Sequence, residues 1–155
     1  MANPHDKTVL VVDDEADVRR YLSMALEDAG FKVLTASDGD EGLKAMSDHK
    51  VDLVSLDLIM PRKSGVKFYR EMHTNKAWSK TPVLVVTGHA RDDLGKADLK
   101  ELTMSGPGVY LEKPVKPENY VAAVKKLLGL QTTPDEDTAA RQTQPVTVIP
   151  SVHPL

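Results

Sequence analysis

The stretch VLVVDDE at residues 9–15 decides the fold. Its first four residues, Val9–Val12, are continuously apolar, and two acidic residues follow them directly. Strands of a parallel sheet have this pattern because helices cover both faces, whereas a half-exposed antiparallel strand alternates apolar with polar residues. The stretch therefore predicts a strand of a parallel sheet that ends at a pair of carboxylates.

Further apolar or β-branched runs predict more strands, and segments with helical spacing of apolar residues separate them. The predicted strands are Thr8–Val12, Lys32–Ala36, Asp52–Leu56, Pro82–Val86 and Val109–Leu111. The predicted helices are Ala16–Ala29, stopped by Gly30, then Asp40–Asp48, Gly65–Thr74, Asp92–Met104 and Asn119–Leu128. Repeated alternation with short connections predicts right-handed βαβ units and a doubly wound α/β fold.

The composition excludes several classes of protein. A chain of 155 residues with 41% apolar residues is expected to form one hydrophobic core. The net charge of −3 offers no broad cationic surface for nucleic acid or acidic lipid. The absence of cysteine excludes thiolate metal sites and thiol nucleophiles. No apolar run approaches the roughly 18 residues of a membrane span, so we expect a cytoplasmic protein with no membrane partner.

The chain divides into three parts by composition. Residues 1–6 are predicted to be an N-terminal extension, and residues 7–130 are predicted to be the folded domain. Residues 131–155 are rich in proline, threonine and glutamine and have no helical period, so a disordered tail is predicted there.

Three carboxylates follow predicted strands: Asp13 and Asp14 after the first strand, and Asp57 after the third. Ligands of open α/β sheets bind beyond the carboxyl ends of strands, where the strand order reverses. If the order is 2-1-3-4-5, the three acids converge there. Converging carboxylates repel, so either one stays protonated or a cation joins them. Magnesium fits best because it prefers hard oxygen ligands and accepts a phosphate oxygen; N-capping of the first helix is the alternative for Asp13 or Asp14 alone.

The last two strands end at complementary groups. Thr87 follows the fourth strand with a hydroxyl, and Lys113 follows the fifth with an ammonium group. Facing the acids, the two groups would bind phosphoryl oxygens by hydrogen bonding and charge. Each residue alone is weak evidence, because a threonine at a strand end is usually structural and a lysine is usually solvated.

Four motifs in order resemble a response-regulator receiver domain of the CheY-like superfamily. They are VLVVDDE at 9–15, DLVSLDLIMPRKSG at 52–65, LVVTGHA at 84–90 and YLEKPVKPE at 110–118. The resemblance covers about residues 7–129. It implies a flavodoxin-like fold, with a five-stranded parallel sheet of order 2-1-3-4-5 and five helices on its two faces. It also implies a stand-alone phospho-acceptor switch, with only self-directed phosphotransfer and autodephosphorylation, instead of an enzyme for external substrates.

The resemblance assigns roles to the acidic site. Asp57 would be the phospho-acceptor, and Asp13 and Asp14 would hold Mg²⁺ (with Mn²⁺ as the alternative ion) together with Asp57 and the backbone carbonyl of Ile59. Lys113 would pair with the phosphoryl oxygens, and its bond to Pro114 is expected to be cis.

The resemblance also implies a switch. Thr87 would turn towards the phosphoryl group and Tyr110 would swing inward, which changes the face formed by the fourth predicted helix, the fifth strand and the fifth predicted helix. Ile59 and His89 would modulate attack of water on the acyl phosphate: Ile59 would help exclude water, and His89 would orient water as a base, with a solvated position on the loop as the favoured alternative for His89. The segment between Thr87 and Tyr110 is longer than expected for the family, so an unusual fourth helix is predicted.

The partners implied are a sensor histidine kinase or phosphotransfer protein and a downstream protein target. A phosphorylation-dependent homodimer is left open. Two other functions are weighed against this one: a phosphohydrolase with an aspartyl nucleophile, and a receiver-like interaction module that is never phosphorylated. Such hydrolases generally need a second aspartate two residues after the nucleophile, where Ile59 stands. A flavin or nucleotide binder would need a Gly/Ser/Thr-rich loop where the acidic DDEADVRR occurs.

Overall fold

The computed structural model describes residues 4–87 and 109–130. In these ranges the strands are β1 (Thr8–Val12), β2 (Lys32–Ala36), β3 (Leu53–Leu56), β4 (Val83–Thr87) and β5 (Val109–Glu112). The α-helices are α1 (Ala16–Asp28), α2 (Gly39–Asp48), α3 (Ser64–Thr74) and α4 (Pro117–Leu127), and single 3₁₀ turns occur at Pro4–Asp6 and Pro61–Lys63. The helix predicted at Asp92–Met104 and the tail predicted at 131–155 lie outside the described residues; α4 is the fifth predicted helix.

The strands form one parallel sheet in the order β2-β1-β3-β4-β5, which confirms the predicted topology. The chain passes from β1 outward to β2 and then returns to the other side of β1 as β3. In the register of β1 and β3, Val12 lies beside Leu56. The two strands therefore end side by side, at the position where the order reverses.

Two hydrophobic clusters cover the two faces of the sheet. Leu10, Val12, Val54 and Leu56 belong to the cluster that includes residues of α2 and α3. Their strand neighbours Val9, Val11 and Leu53 belong to the cluster that includes residues of α1 and α4. Because side chains of a strand alternate between faces, burial of both faces explains the unbroken apolar runs.

The helix ends follow their sequence signals. Gly30 follows α1 with a φ of +100°, a left-handed conformation that suits glycine, and the amide of Phe31 donates to Leu26 O at 3.0 Å. At the start of α2, the Asp38 side chain accepts a hydrogen bond from the amide of Glu41 at 2.8 Å. The prediction of Gly30 as a stop is confirmed.

Two local features were not predicted. Helix α4 begins at Pro117, two residues before the predicted start, because proline suits a first helical turn, where the amide has no partner to lose. The turn at Pro61–Lys63 contains Arg62 with a φ of +57°. In the described ranges, no helix combines the length and the apolar character needed to cross a membrane.

Candidate functional site

The two neighbouring strand ends place Asp13 beside Asp57. The amide of Asp13 donates to Ala36 O at 3.1 Å, and the amide of Asp57 donates to Val12 O at 3.0 Å. These bonds continue the parallel ladders by one residue beyond each strand. The backbones of both acids are thus fixed by the sheet, and the predicted convergence at the switch point is confirmed.

Each buried carboxylate is held in the same way at one oxygen. Oδ1 of Asp13 accepts a hydrogen bond from the amide of Glu15 at 2.9 Å. Oδ1 of Asp57 accepts one from the amide of Ile59, also at 2.9 Å. An aspartate that bonds the amide two residues on forms a tight local turn, so both side chains are oriented by their own loops. Both residues are buried, with relative exposures of 1% for Asp13 and 3% for Asp57.

Lys113 contacts the other oxygen of each acid. Its ammonium nitrogen lies 2.8 Å from Oδ2 of Asp13 and 3.2 Å from Oδ2 of Asp57. The lysine is itself mostly buried, with 17% of its side chain exposed, and Glu15 Oε1 lies 3.5 Å away on the solvent side. The Lys113–Pro114 peptide bond is cis, as predicted. One cation therefore bridges two buried carboxylates from the end of β5.

Burial and neighbouring charges have opposing effects on the pKa values of Asp13 and Lys113. Burial raises the pKa of Asp13 above its usual 3.8, although hydrogen bonds from Lys113 and Glu15 oppose it. Burial alone would lower the pKa of Lys113, but its hydrogen bond to Asp13 and the charge of Asp57 outweigh it, so the pKa of Lys113 is raised. Lys113 is thus held as a cation. For Asp13, the effect of burial outweighs the effect of its hydrogen bonds, so the carboxyl ionises less readily than an exposed aspartate.

Asp14 completes an acidic cluster that fits a divalent cation. One oxygen from each of Asp13, Asp14 and Asp57 lies within 4.8 Å of the others, and Asp14 is exposed where the other two are buried. Three hard carboxylate oxygens with one open side match the ligands that magnesium accepts. The N-capping alternative is not supported, because Glu15 is the N-cap residue of α1 and makes no side-chain cap bond.

Two supporting residues were missed in the sequence. The guanidinium of Arg19 donates from Nη1 to Asp13 O at 2.7 Å and so ties α1 to the acidic loop. Gly65 packs against the backbone after β3: a Cβ there would overlap Asp57 O and lie 2.8 Å from the Leu58 Cα. The motif DLIMPRKSG contains this glycine, but only the fold shows what it touches.

Of the remaining predicted site residues, three lie within the described ranges and one lies outside them. Thr87 is the last residue of β4, and Tyr110 lies on β5 in register with Val85. Ile59 lies two residues after Asp57 and is half-buried. His89 lies outside the described residues. The switching roles of Thr87 and Tyr110 and the modulating roles of Ile59 and His89 stay predictions.

An open groove of about 430 Å³ adjoins the site between α1 and the loop after β5. Its lining includes Glu15 and Lys113, which also belong to the site, and the apolar side chains of Val18 and Val115. The Tyr21 hydroxyl donates to Val115 O at 3.0 Å and connects the two walls. Lys113 can therefore be approached from outside the protein along this groove.

Comparison with known proteins agrees with this geometry. Residues 9–125 match the response regulator receiver domain family. The phosphate regulon transcriptional regulatory protein PhoB of Pseudomonas aeruginosa is 32% identical over 133 residues, which are 86% of this chain and 56% of that protein. The alkaline phosphatase synthesis transcriptional regulatory protein PhoP of Bacillus subtilis is 36% identical over 124 residues, 79% of this chain and 49% of that protein. The chain spans about half the length of the curated relatives it matches.

Solved structures show the same fold. The chemotaxis response regulator CheY4 of Vibrio cholerae superposes with a TM-score of 0.67 at 30% identity, covering 78% of this chain and 98% of that one. A response regulator receiver domain from Clostridium thermocellum gives a TM-score of 0.66 at 30% identity, covering 79% and 94%. The chain therefore belongs to the response regulator receiver domain family of two-component signalling.

Proposed function

We propose that Asp57 accepts a phosphoryl group from a histidine kinase or phosphotransfer protein in a magnesium-dependent reaction. The observation that carries this proposal is the contact of Lys113 with both Asp13 and Asp57, at the carboxyl ends of three different strands. A carboxylate nucleophile, a fixed cation and a cluster of metal-binding oxygens are the groups that phosphoryl transfer requires.

In the proposed reaction a carboxylate oxygen of Asp57 forms a bond to phosphorus while the bond from phosphorus to the donor histidine nitrogen breaks. The nitrogen keeps the electron pair, and the product is an aspartyl phosphate. The bond from the Ile59 amide to Oδ1 orients the Asp57 carboxylate for attack. Lys113 stands next to Oδ2, where it would neutralise the charge of the incoming phosphoryl oxygens.

Magnesium would be held by Asp13, Asp14, Asp57 and the backbone carbonyl of Ile59, with Mn²⁺ as a substitute, and would neutralise charge between carboxylates and phosphoryl group. The raised pKa of Asp13 agrees with a site that is stabilised by an added cation. The half-buried side chain of Ile59 would limit access of water to the acyl phosphate, and His89 would influence its hydrolysis.

The proposed output is a conformational change that controls a protein partner. Phosphorylation adds negative charge and strong acceptor oxygens, which favour a closer approach of Thr87 and Lys113. Tyr110 would follow Thr87, and the face formed by the predicted helix at Asp92–Met104, β5 and α4 would change. A two-state equilibrium can be inverted from about 1:99 to 99:1 by roughly 5.5 kcal/mol of differential interaction.

Fluorine NMR and amide NMR with beryllium fluoride, a mimic of the phosphoryl group, test this proposal without a cognate kinase. With magnesium present, we expect a protein-bound signal in the fluorine spectrum and shifted amide signals from β5 and α4. Asp57→Asn should remove both. A bound signal that persists in Asp57→Asn, or that forms equally well without a divalent metal, would contradict the proposal.

A further inference from the structure

Arg19 of α1 is hydrogen-bonded to the backbone of the acidic loop, between two members of the acidic cluster. Its Nη1 donates to Asp13 O at 2.7 Å, a short bond of the kind that a charged donor forms. Asp13 is buried and Arg19 is half-buried, so water has limited access to this carbonyl. The guanidinium is therefore the donor that satisfies a carbonyl inside the site.

This contact closes a ring of three hydrogen bonds at the start of α1. The amide of Arg19 donates to Glu15 O at 2.9 Å, and the amide of Glu15 donates to Oδ1 of Asp13 at 2.9 Å. The Arg19 side chain then returns to Asp13 O. On the other side, the amide of Asp13 donates to Ala36 O at 3.1 Å. The helix, the loop and the end of β2 thus hold Asp13 from three directions.

The carbonyl that Arg19 holds belongs to the peptide that joins Asp13 to Asp14. A peptide unit is planar, so a bond that fixes its oxygen also fixes the direction of the Asp14 amide and limits rotation of the whole unit. Asp14 is exposed, and none of the residues that the structure describes forms a hydrogen bond or ion pair with its carboxylate. The direction of the Asp14 side chain therefore depends on the backbone that carries it.

We propose that Arg19 is a positioning residue of the metal site: its guanidinium fixes the plane of the Asp13–Asp14 peptide and so keeps the Asp14 carboxylate directed towards Asp13 and Asp57. Arg19 touches neither metal nor phosphoryl group and acts through the backbone. Without its hydrogen bond, the cluster keeps its three carboxylates but loses their arrangement. This inference deepens the proposed function and rests on it, because it takes the three acids to be the metal ligands.

Position and charge predict opposite results when a neutral residue replaces Arg19. Loss of a cation near three carboxylates increases the attraction of the site for a divalent ion, so charge alone predicts tighter binding. Loss of a group that orients metal ligands weakens metal binding instead. The sign of the change in metal affinity therefore separates the two effects.

The first test measures Mn²⁺ binding, as free ion by electron paramagnetic resonance, for Arg19→Gln and for the control Arg20→Gln. Arg20 is the next residue of α1 and is exposed, so the control loses the same charge but keeps the contact with Asp13 O. We expect Arg19→Gln to bind Mn²⁺ about three- to tenfold more weakly than wild type, at or below the usual loss for groups that orient metal ligands. Arg20→Gln should bind within about twofold of wild type, because solvent and salt screen an exposed charge. Unchanged or tighter binding by Arg19→Gln, or an equal loss in Arg20→Gln, would overturn the proposal.

A second test uses the metal-free protein, so it does not depend on the proposed function. The NMR signal of a backbone carbonyl carbon moves upfield when the carbonyl loses its hydrogen-bond donor. We expect this shift for Asp13 in Arg19→Gln, together with a displaced amide signal of Asp14. Arg20→Gln should keep the wild-type signals of both residues. An Asp13 carbonyl signal that does not move in Arg19→Gln would show that the contact does not hold the peptide.

Arg19→Met is the second variant in both tests, since its apolar stem fills more of the space of the arginine if glutamine impairs folding. The two results are then compared with adduct formation at Asp57. Weaker Mn²⁺ binding and a shifted Asp13 carbonyl, in a protein whose wild type forms no adduct, would support the positioning role and contradict the phospho-acceptor function. A wild-type adduct together with unchanged Mn²⁺ binding by both Arg19 variants would do the reverse.

Discussion

The ammonium nitrogen of Lys113 lies 3.2 Å from Oδ2 of Asp57, across 56 residues of sequence. The same nitrogen lies 2.8 Å from Oδ2 of Asp13. Two buried carboxylates thus share one lysine, so these three groups together carry one more negative charge than positive. The consequences differ for the lysine and for each acid, which makes the site testable by single substitutions.

Lys113→Met should destabilise the protein, because it leaves the Asp13 and Asp57 carboxylates facing each other without a cation. Removal of one partner of a buried ion pair typically costs about 3–5 kcal/mol, and the 17% exposure of the lysine side chain places the expected loss at the lower end. Excess magnesium should restore part of the loss by replacing the missing charge. Urea unfolding with and without magnesium measures both effects; an unchanged midpoint in metal-free buffer would contradict the pairing.

Asp13→Asn should stabilise the protein, unlike Lys113→Met, and should abolish tight metal binding. A folded-state pKa raised above 3.8 means that ionised Asp13 destabilises the fold: stability present below pH 3.8 is lost as pH rises through the raised pKa. Asparagine cannot ionise, so the variant should gain about 0.5–2 kcal/mol at neutral pH, a typical gain for relief of a strained functional site. Thermal unfolding at neutral pH and below pH 3.8 checks the sign, since the gain should shrink in acid.

Metal binding should weaken in acid at a higher pH than an ordinary aspartate would cause. The proton and the metal compete for Asp13, and burial raises the pKa of this carboxyl above its usual 3.8. Calorimetric titrations with Mn²⁺ in buffers of different ionisation enthalpy should reveal proton release on binding, which grows as pH falls towards the raised pKa. Proton release that is absent at every pH would show that Asp13 is not a ligand.

Gly65→Ala should disturb the acceptor loop specifically. The new Cβ would overlap Asp57 O and lie 2.9 Å from Leu58 O, so the backbone carrying the acceptor must shift. Overpacking of this kind costs about 1–3 kcal/mol, and we expect metal affinity to fall with it. Gly42→Ala is the matched control, because its Cβ would lie 2.8 Å from the Phe68 ring, away from the acceptor. It should lower the unfolding midpoint and preserve metal affinity; equal losses of affinity would contradict a local effect of Gly65.

The topology and the acidic centre could be predicted because they depend on patterns local in sequence. The apolar run of Val9–Val12 requires a sheet covered on both faces, and acids that follow neighbouring parallel strands must meet at one edge. The bounds of β1 and β2 were predicted correctly, and each of the other described strands and helices differs from its predicted bounds by one or two residues at one or both ends.

The supporting contacts could not be predicted, because they join residues whose proximity only the packed fold creates. In the sequence, Arg19 is only one of several charged residues of α1, yet its side chain donates a hydrogen bond to the backbone carbonyl of Asp13. Trp78 precedes β4, at the opposite end of the strands from the site, and packs against the core there, so its fluorescence is a poor reporter of the site. Adduct mass is the better measurement.

The central claim, that Asp57 is the phospho-acceptor, is tested most directly by intact mass after incubation with magnesium and a small acyl-phosphate donor. Asp52→Asn is the control, because Asp52 lies at the other end of β3, where its Oδ2 accepts a hydrogen bond from the amide of Thr8 at 2.8 Å. We predict the mass of one added phosphoryl group in wild type and in Asp52→Asn, its loss when magnesium is chelated, and none in Asp57→Asn. No adduct in wild type, or an adduct that persists in Asp57→Asn, would contradict the account.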